Sequence, residues 1–221
     1  MNGEVPPKAS RADMGHGEEQ PDRRGADEGE PSESQKSSRA DTIVDRRVGR
    51  ILISRDEIAA RVSELGEAIG RDYAGRAPVL VGVLKGAVVF TADLLRAIPM
   101  PAAMDFMAVS SYGSNTRSSG VVRLTADLSL SIEGRDVIIV EDVIDSGRTI
   151  SYLRRNLATR HPRSLALCGL LDKVSRREVE VDVDYVGFVI PDEFVVGYGL
   201  DYDGRHRELP DLAVLEPAVP A

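Results

Sequence analysis

The chain has 221 residues, a formal net charge of −8 and a pI near 5.0, which fits one domain of ordinary size plus an appendage. The acidic balance argues against a nucleic-acid-binding surface, and no apolar run approaches the ~18 residues of a membrane span. The N-terminus lacks the apolar core of a signal peptide, and a single cysteine, Cys168, allows no intrachain disulfide, so a reducing cytoplasm is expected.

Met1 to Ala40 contains no Leu, Ile, Phe, Tyr or Trp. Such a segment cannot bury enough apolar surface to offset its ordering entropy, and residues 1–41 are predicted to be a disordered tail. The composition changes at Thr42-Ile43-Val44, and residues 42–221 are predicted to be the folded domain. Ser54-Arg55-Asp56-Glu57 has the pattern of a capping box. Behind it Ile58, Val62, Leu65 and Ile69 recur at helical spacing. Pro78 to Leu84 is an apolar run of strand length, Ala87 to Ile98 reads as a helix, and Ala103 to Val109 as a strand. Ser110 to Arg123, rich in Ser and Gly, reads as a long exposed loop. Asp136 to Val140 is a second buried strand, followed by a turn and a helix from Thr149 to Ala158. Ser164 to Leu171 and Tyr185 to Ile190 complete the expected strands, with Cys168 as a core thiol. Apolar strands alternating with helices imply an α/β fold whose central parallel, twisted sheet is flanked by helices.

The chemistry concentrates in Val140-Glu141-Asp142-Val143-Ile144-Asp145-Ser146-Gly147-Arg148-Thr149. A buried strand is expected to end in two acids, turn through Asp-Ser-Gly and open a helix at Thr149. Ligands of open α/β sheets collect at the carboxyl ends of the strands. A helix N-terminus adds unpaired amides and partial positive charge, so Asp145 to Thr149 can cradle a phosphate monoester. Gly147 permits close backbone approach, and Ser146 and Thr149 add hydroxyls. Glu141 and Asp142 suit a ribose diol and magnesium, a cation held by carboxylates and substrate oxygens. The three histidines, His16, His161 and His206, form no cluster with zinc-ligand spacing.

This stretch resembles the phosphoribosyl pyrophosphate (PRPP) signature of the type I phosphoribosyltransferases, and segments from Arg50 to Leu215 resemble the hypoxanthine-guanine branch. The resemblance implies a small hood subdomain built from residues 42–54 and 173–221. It makes Leu84-Lys85-Gly86 the pyrophosphate loop, with a cis bond between Leu84 and Lys85, and gives Arg207 a pyrophosphate contact. Ser111 and Tyr112 begin a mobile lid that excludes water. Lys173 reads the 6-oxo group of the purine, Phe194 stacks on it beside Val195, and Asp201 lies downstream near base and metal. PRPP loop contacts fall to Glu141, Asp142, Asp145, Ser146, Gly147, Arg148 and Thr149, and a magnesium set to Glu141, Asp142 and Asp201. His206 stands where relatives often carry an aromatic.

The implied reaction moves a phosphoribosyl group from PRPP to hypoxanthine or guanine, with Asp145 as the base that accepts the purine N7 proton. The resemblance also implies a homo-oligomer, dimer or tetramer. Alternatives are a xanthine-preferring enzyme and a PRPP-binding regulator of the same fold. Lys173 and Phe194 argue against adenine or uracil as the base. A P-loop nucleotidase is excluded, because no G-x-x-x-x-G-K-[ST] occurs.

Overall fold

The computed structural model describes residues 46–111 and 122–217. The expected tail and Tyr112 lie outside these residues. In chain order the elements are β1 (Arg46–Ile53), α1 (Arg55–Asp72), β2 (Val79–Leu84), α2 (Val88–Ala97), β3 (Ala103–Ser111), β4 (Val122–Ala126), β5 (Asp136–Ile144) and α3 (Arg148–Ala158). They continue with β6 (Ser164–Asp172), a 3-10 turn (Val174–Arg176), β7 (Tyr185–Val189), β8 (Val195–Val196) and β9 (Leu212–Pro217). No helix among the described residues is long and apolar enough to cross a membrane.

Six strands form the main sheet in the order β4-β3-β2-β5-β6-β7. All neighbours are parallel except the β3–β4 pair at the edge. Successive side chains on a strand face opposite sides, and β5 divides its apolar run accordingly. Ile138 and Val140 join the cluster packed by α1 and α2, while Val137 and Ile139 join the cluster packed by α3. The sheet is therefore covered on both faces, and β5 at its centre is buried throughout its first six residues. Cys168 is fully buried on β6, and that burial pushes its thiol well above the usual range.

Helix α1 starts where its sequence predicts. The Ser54 side chain accepts from Glu57 N–H and Ser54 N–H donates to the Glu57 carboxylate, completing the capping box, a feature worth about 1 kcal/mol. Ile58, Val62, Leu65 and Ile69 are its buried stripe. Gly66 faces Ala97 so closely that a Cβ there would collide with the α2 backbone. Its lack of a side chain sets how near the two helices approach.

A second, antiparallel sheet has the order β1-β9-β8. It holds the chain around Phe194: Leu215 N–H on β9 donates to the Phe194 carbonyl, and Arg50 on β1 pairs with Glu193 at 2.6 Å.

Several expectations need correction. Ser110 and Ser111 belong to β3 and Arg123 to β4, with Ser110 opposite Arg123, so the expected loop begins and ends inside strands. β4 is a short edge strand with only one half-buried face, which leaves it without the apolar run that marks the central strands. β5 does not end at Val140; it continues to Ile144, pairing with β6 as far as Asp172. Glu141 and Asp142 thus sit inside a strand, held by its ladder. β1, β8 and β9 were also absent from the expected strands.

Candidate active site

The site forms where β5 leaves the sheet and turns into α3. Gly147 is the residue before the helix and adopts φ +82°, a left-handed conformation that glycine tolerates without penalty. A Cβ there would also strike the Val179 carbonyl. The turn is fixed from outside, because Glu178 and Val179 N–H groups both donate to Ser146 O at 3.0 Å. Gly147 has no side chain with which to cap α3, and of the first amides only Arg148 N–H has a side-chain acceptor, Ser146 Oγ at 3.5 Å, so the helix start can still receive an anion. The Arg148 side chain turns away and pairs with Glu178 at 2.5 Å, leaving its backbone as the part that faces the turn.

Glu141 is buried, and its Oε2 has no hydrogen-bond partner. Burial, reinforced by the neighbouring Asp142 charge, pushes its carboxyl well above the usual carboxylate range. Burial also raises Asp142, to about 6, against the opposing pull of Val143 N–H at 2.8 Å and of Arg207. Asp201 adds to the rise.

Across from these acids lies Lys85-Gly86, with the Leu84–Lys85 peptide in the cis form. The Asp142 carboxylate lies against Gly86 where a Cβ would have to be, and the Gly86 carbonyl occupies the same position over Gly199. Two glycines thus let the β2 loop, β5 and the 197–207 segment meet at van der Waals distance. Arg207 ties the third of these down, donating to Gly199 O at 2.6 Å and pairing with Asp201 at 2.6 Å.

Two cavities result, and they share Asp142 and Asp201. One, of about 240 Å³, is lined by Lys85, Gly86, Glu141, Asp142, Thr149 and Arg207 among others. The other, of about 530 Å³, is lined by Asp145, Lys173, Phe194 and Val195, with Arg176, Asp192 and Leu200. A larger hollow of about 720 Å³ lies between α1, α2 and the 198–210 segment, but it meets the site only at Arg207. The chemistry is in the two smaller ones.

Lys173 is no solvated surface lysine. It is only 8% exposed, anchored by its N–H to Ile144 O at 3.0 Å, and its ammonium finds no hydrogen-bond acceptor among the described residues. Phe194 presents an exposed ring, braced edge-on by Tyr202 at 5.7 Å between centroids. Val195 is buried in β8. The flat ring, the buried donor and the strand beside them can hold a planar heterocycle with an acceptor on its edge.

The expected set of three metal carboxylates is not preassembled: no three acidic, His or Cys side chains among the described residues converge to hold an ion. Asp201 is taken up by Arg207, and Glu141 is buried in a form that disfavours its charge. Asp201 nevertheless adds to the electrostatic cost of the Asp142 charge, and the two line the same cavities, a donor set that a hard cation relieves. Ser111 ends β3, and Ser146 and Gly147 form the turn without lining either cavity. Sequence reasoning missed Arg176 and Asp192 as site residues. The partners of Arg176, Asp145 and Asp192, lie 31 and 16 positions away in the chain, beyond any local pattern.

Comparison with known proteins agrees with this geometry. The family described as phosphoribosyl transferase domain matches residues 53–203. A hypoxanthine-guanine phosphoribosyltransferase of Mycobacterium avium is 57% identical over 175 residues, covering 76% of this chain and 86% of that protein. One from Bacillus subtilis is 50% identical, covering 78% and 96%. Among solved structures, a hypoxanthine-guanine phosphoribosyltransferase from Bacillus anthracis superposes with a TM-score of 0.73 at 44% identity, covering 76% of this chain and 99% of that one.

Proposed function

The chain belongs to the hypoxanthine-guanine phosphoribosyltransferase family, and from that premise we propose that it is a purine salvage enzyme joining the 5-phosphoribosyl group of PRPP to hypoxanthine or guanine. The products are IMP or GMP and pyrophosphate. The observation that carries the reading is the unpartnered Oε2 of buried Glu141. A buried acceptor without a donor is destabilising, and Glu141 lines the cavity that also contains Lys85, Gly86 and Thr149 at the start of α3. A ribose hydroxyl supplies the missing donor.

The residues divide the substrate among them. Turn amides from Asp145 to Thr149, with the Ser146 and Thr149 hydroxyls, hold the 5′-phosphate. Glu141 and Asp142 take the ribose diol. Lys85, Gly86 and Arg207 meet the pyrophosphate. Enzymes of this family generally use magnesium with PRPP. Asp142 and Asp201 are the residues that would hold the ion, which neutralises charge on the leaving group when bound. Arg207 and Asp201 pair with each other in the free site. Separating them would free the Arg207 cation to meet pyrophosphate and the Asp201 carboxylate to hold the ion.

In the reaction the C1′–O bond breaks with its electron pair leaving on pyrophosphate, and purine N9 donates the pair that forms C1′–N9. Asp145 accepts the N7 proton. Lys173 donates to the 6-oxo oxygen while Phe194 stacks on the ring. Cytoplasmic residence, a homo-oligomeric state and the hood built from residues 42–54 and 173–221 belong to the same proposal.

The test is product formation from magnesium, PRPP and each of hypoxanthine, guanine, xanthine and adenine. IMP and GMP with stoichiometric pyrophosphate are expected, and no AMP. Fastest turnover of xanthine would replace the substrate assignment. PRPP binding without turnover of any base would make the chain a regulator.

A further inference from the structure

The purine cavity poses a problem that its assigned residues do not solve. Asp145 and Lys173 line the same hollow, and the reaction needs both unpaired: the carboxylate for N7–H, the ammonium for the 6-oxo oxygen. Lys173 is buried with no protein acceptor among the described residues, so a nearby carboxylate would be its natural partner. A direct pair would disable both groups at once.

The structure holds a third charge at this place. Arg176, at the end of the 3-10 turn that follows Lys173, places Nε 3.1 Å from Asp145 Oδ1. Its Nη1 lies 3.5 Å from Asp192 Oδ2, and both residues line the same cavity. Asp145 is the first cause of the rise in the Arg176 guanidinium pKa, with Asp192 a further contributor. No other side chain among the described residues bonds to the Asp145 carboxylate, so Oδ1 is engaged and Oδ2 remains open. Arg177 fixes the other side of the same residue by donating to the Asp145 backbone carbonyl at 3.2 Å, and it is itself anchored on Asp172. Backbone and carboxylate of Asp145 are thus held by two adjacent arginines.

We propose that Arg176 is a positioning residue for the transfer reaction: it engages one oxygen of Asp145, keeps the carboxylate off Lys173, and aims the other oxygen at purine N7, with Asp192 anchoring the guanidinium. The inference rests on the reading of Asp145 as the base. A base oriented by a third group is a recurring arrangement in proton transfer. Arginine suits it because a planar fork can serve two carboxylates without losing its charge.

A double-mutant cycle tests this. R176M and R176K are made in the native chain and in D145N, with kcat and KM measured for hypoxanthine and PRPP. Arg176 is half exposed, so its replacement leaves the core intact, which equal melting temperatures would document. R176M is expected to lower kcat/KM for hypoxanthine about tenfold, within the range for contacting pairs that act as a unit. The PRPP KM should stay unchanged, and R176K should recover part of the loss. In the D145N background R176M should have no further effect, because the carboxylate charge it manages is gone. D192N should act in the same direction as R176M, but less. An equal loss in both backgrounds, or none in the native chain, overturns the inference while leaving Asp145 as the base. A D145N enzyme with native kcat overturns the base assignment, and this inference with it.

Discussion

The two halves of β5 both carry buried carboxylates, and they could hardly be treated more differently. At the start of the strand, Asp136 is completely buried and surrounded by partners: Arg163 grips both of its oxygens, Ser164 Oγ donates at 2.6 Å, and Arg76 stands at 3.7 Å. The Arg163 hydrogen bonds hold its pKa below the usual carboxylate range. In the second half of the strand Glu141 has an oxygen with no partner, and burial drives both it and Asp142 upward. One strand thus hosts an acid the protein has satisfied and, in Glu141, one with an oxygen left for something else. A buried charge with protein partners is architecture; one without them marks the substrate. Where β6 ends the same contrast separates adjacent residues, since Asp172 is paired with Arg177 while the Lys173 ammonium has no acceptor among the described residues.

Lys173 gives the largest expected effect. Its ammonium carries only donors, so it matches a 6-oxo oxygen and must face the amine of adenine unpaired. Mismatches of this kind discriminate by on the order of 10⁴-fold. K173M should therefore lower kcat/KM severely for hypoxanthine and guanine and collapse most of the gap to adenine, measured by steady-state kinetics on all three bases. Full preference retained in K173M would make its lack of a protein partner meaningless and break the comparison at this point.

A second effect concerns pH. Asp142 is raised to about 6, so below that value it takes a proton and loses the charge needed for ribose and magnesium. The kcat/KM for PRPP is expected to fall as pH drops through about 6, by roughly tenfold per unit beneath it. A profile flat down to pH 5 would remove Asp142 from PRPP capture.

The unequal legibility of the chain follows the same physics. β2, β5 and β6 could be read because a strand buried on both faces must be apolar at every position. β1 could not: its register shifts twice against β9, and Val48 and Ile51 point outward, so neither alternation nor a continuous run survives. β8 is two residues long and exists only because β9 lies beside it. In the site, the turn from Asp145 to Thr149 was legible since its glycine and hydroxyls are contiguous. What was not legible is how charges pair across distance. Nothing local reveals that Asp201 is held by Arg207, that Gly86 is a glycine because Asp142 lies against it, or that Arg176 reaches Asp145.

The most direct measurement of the central claim is the melting temperature of D136N and D142N side by side at pH 7.5. Asp136 has a lowered folded-state pKa, so its contribution is present above its unfolded value near 3.8 and lost only as pH falls below it. Removing that charge at pH 7.5 should cost about 2 kcal/mol, or roughly 5 °C, with PRPP turnover unchanged. Asp142 has a raised folded-state pKa, so its ionisation opposes folding as pH rises through the window from 3.8 to about 6 and continues to do so above it. D142N should therefore melt a few degrees higher than the native chain while losing PRPP turnover. Opposite shifts, with activity lost only in the stabilised variant, are what the account predicts; a fall in both melting temperatures would contradict it.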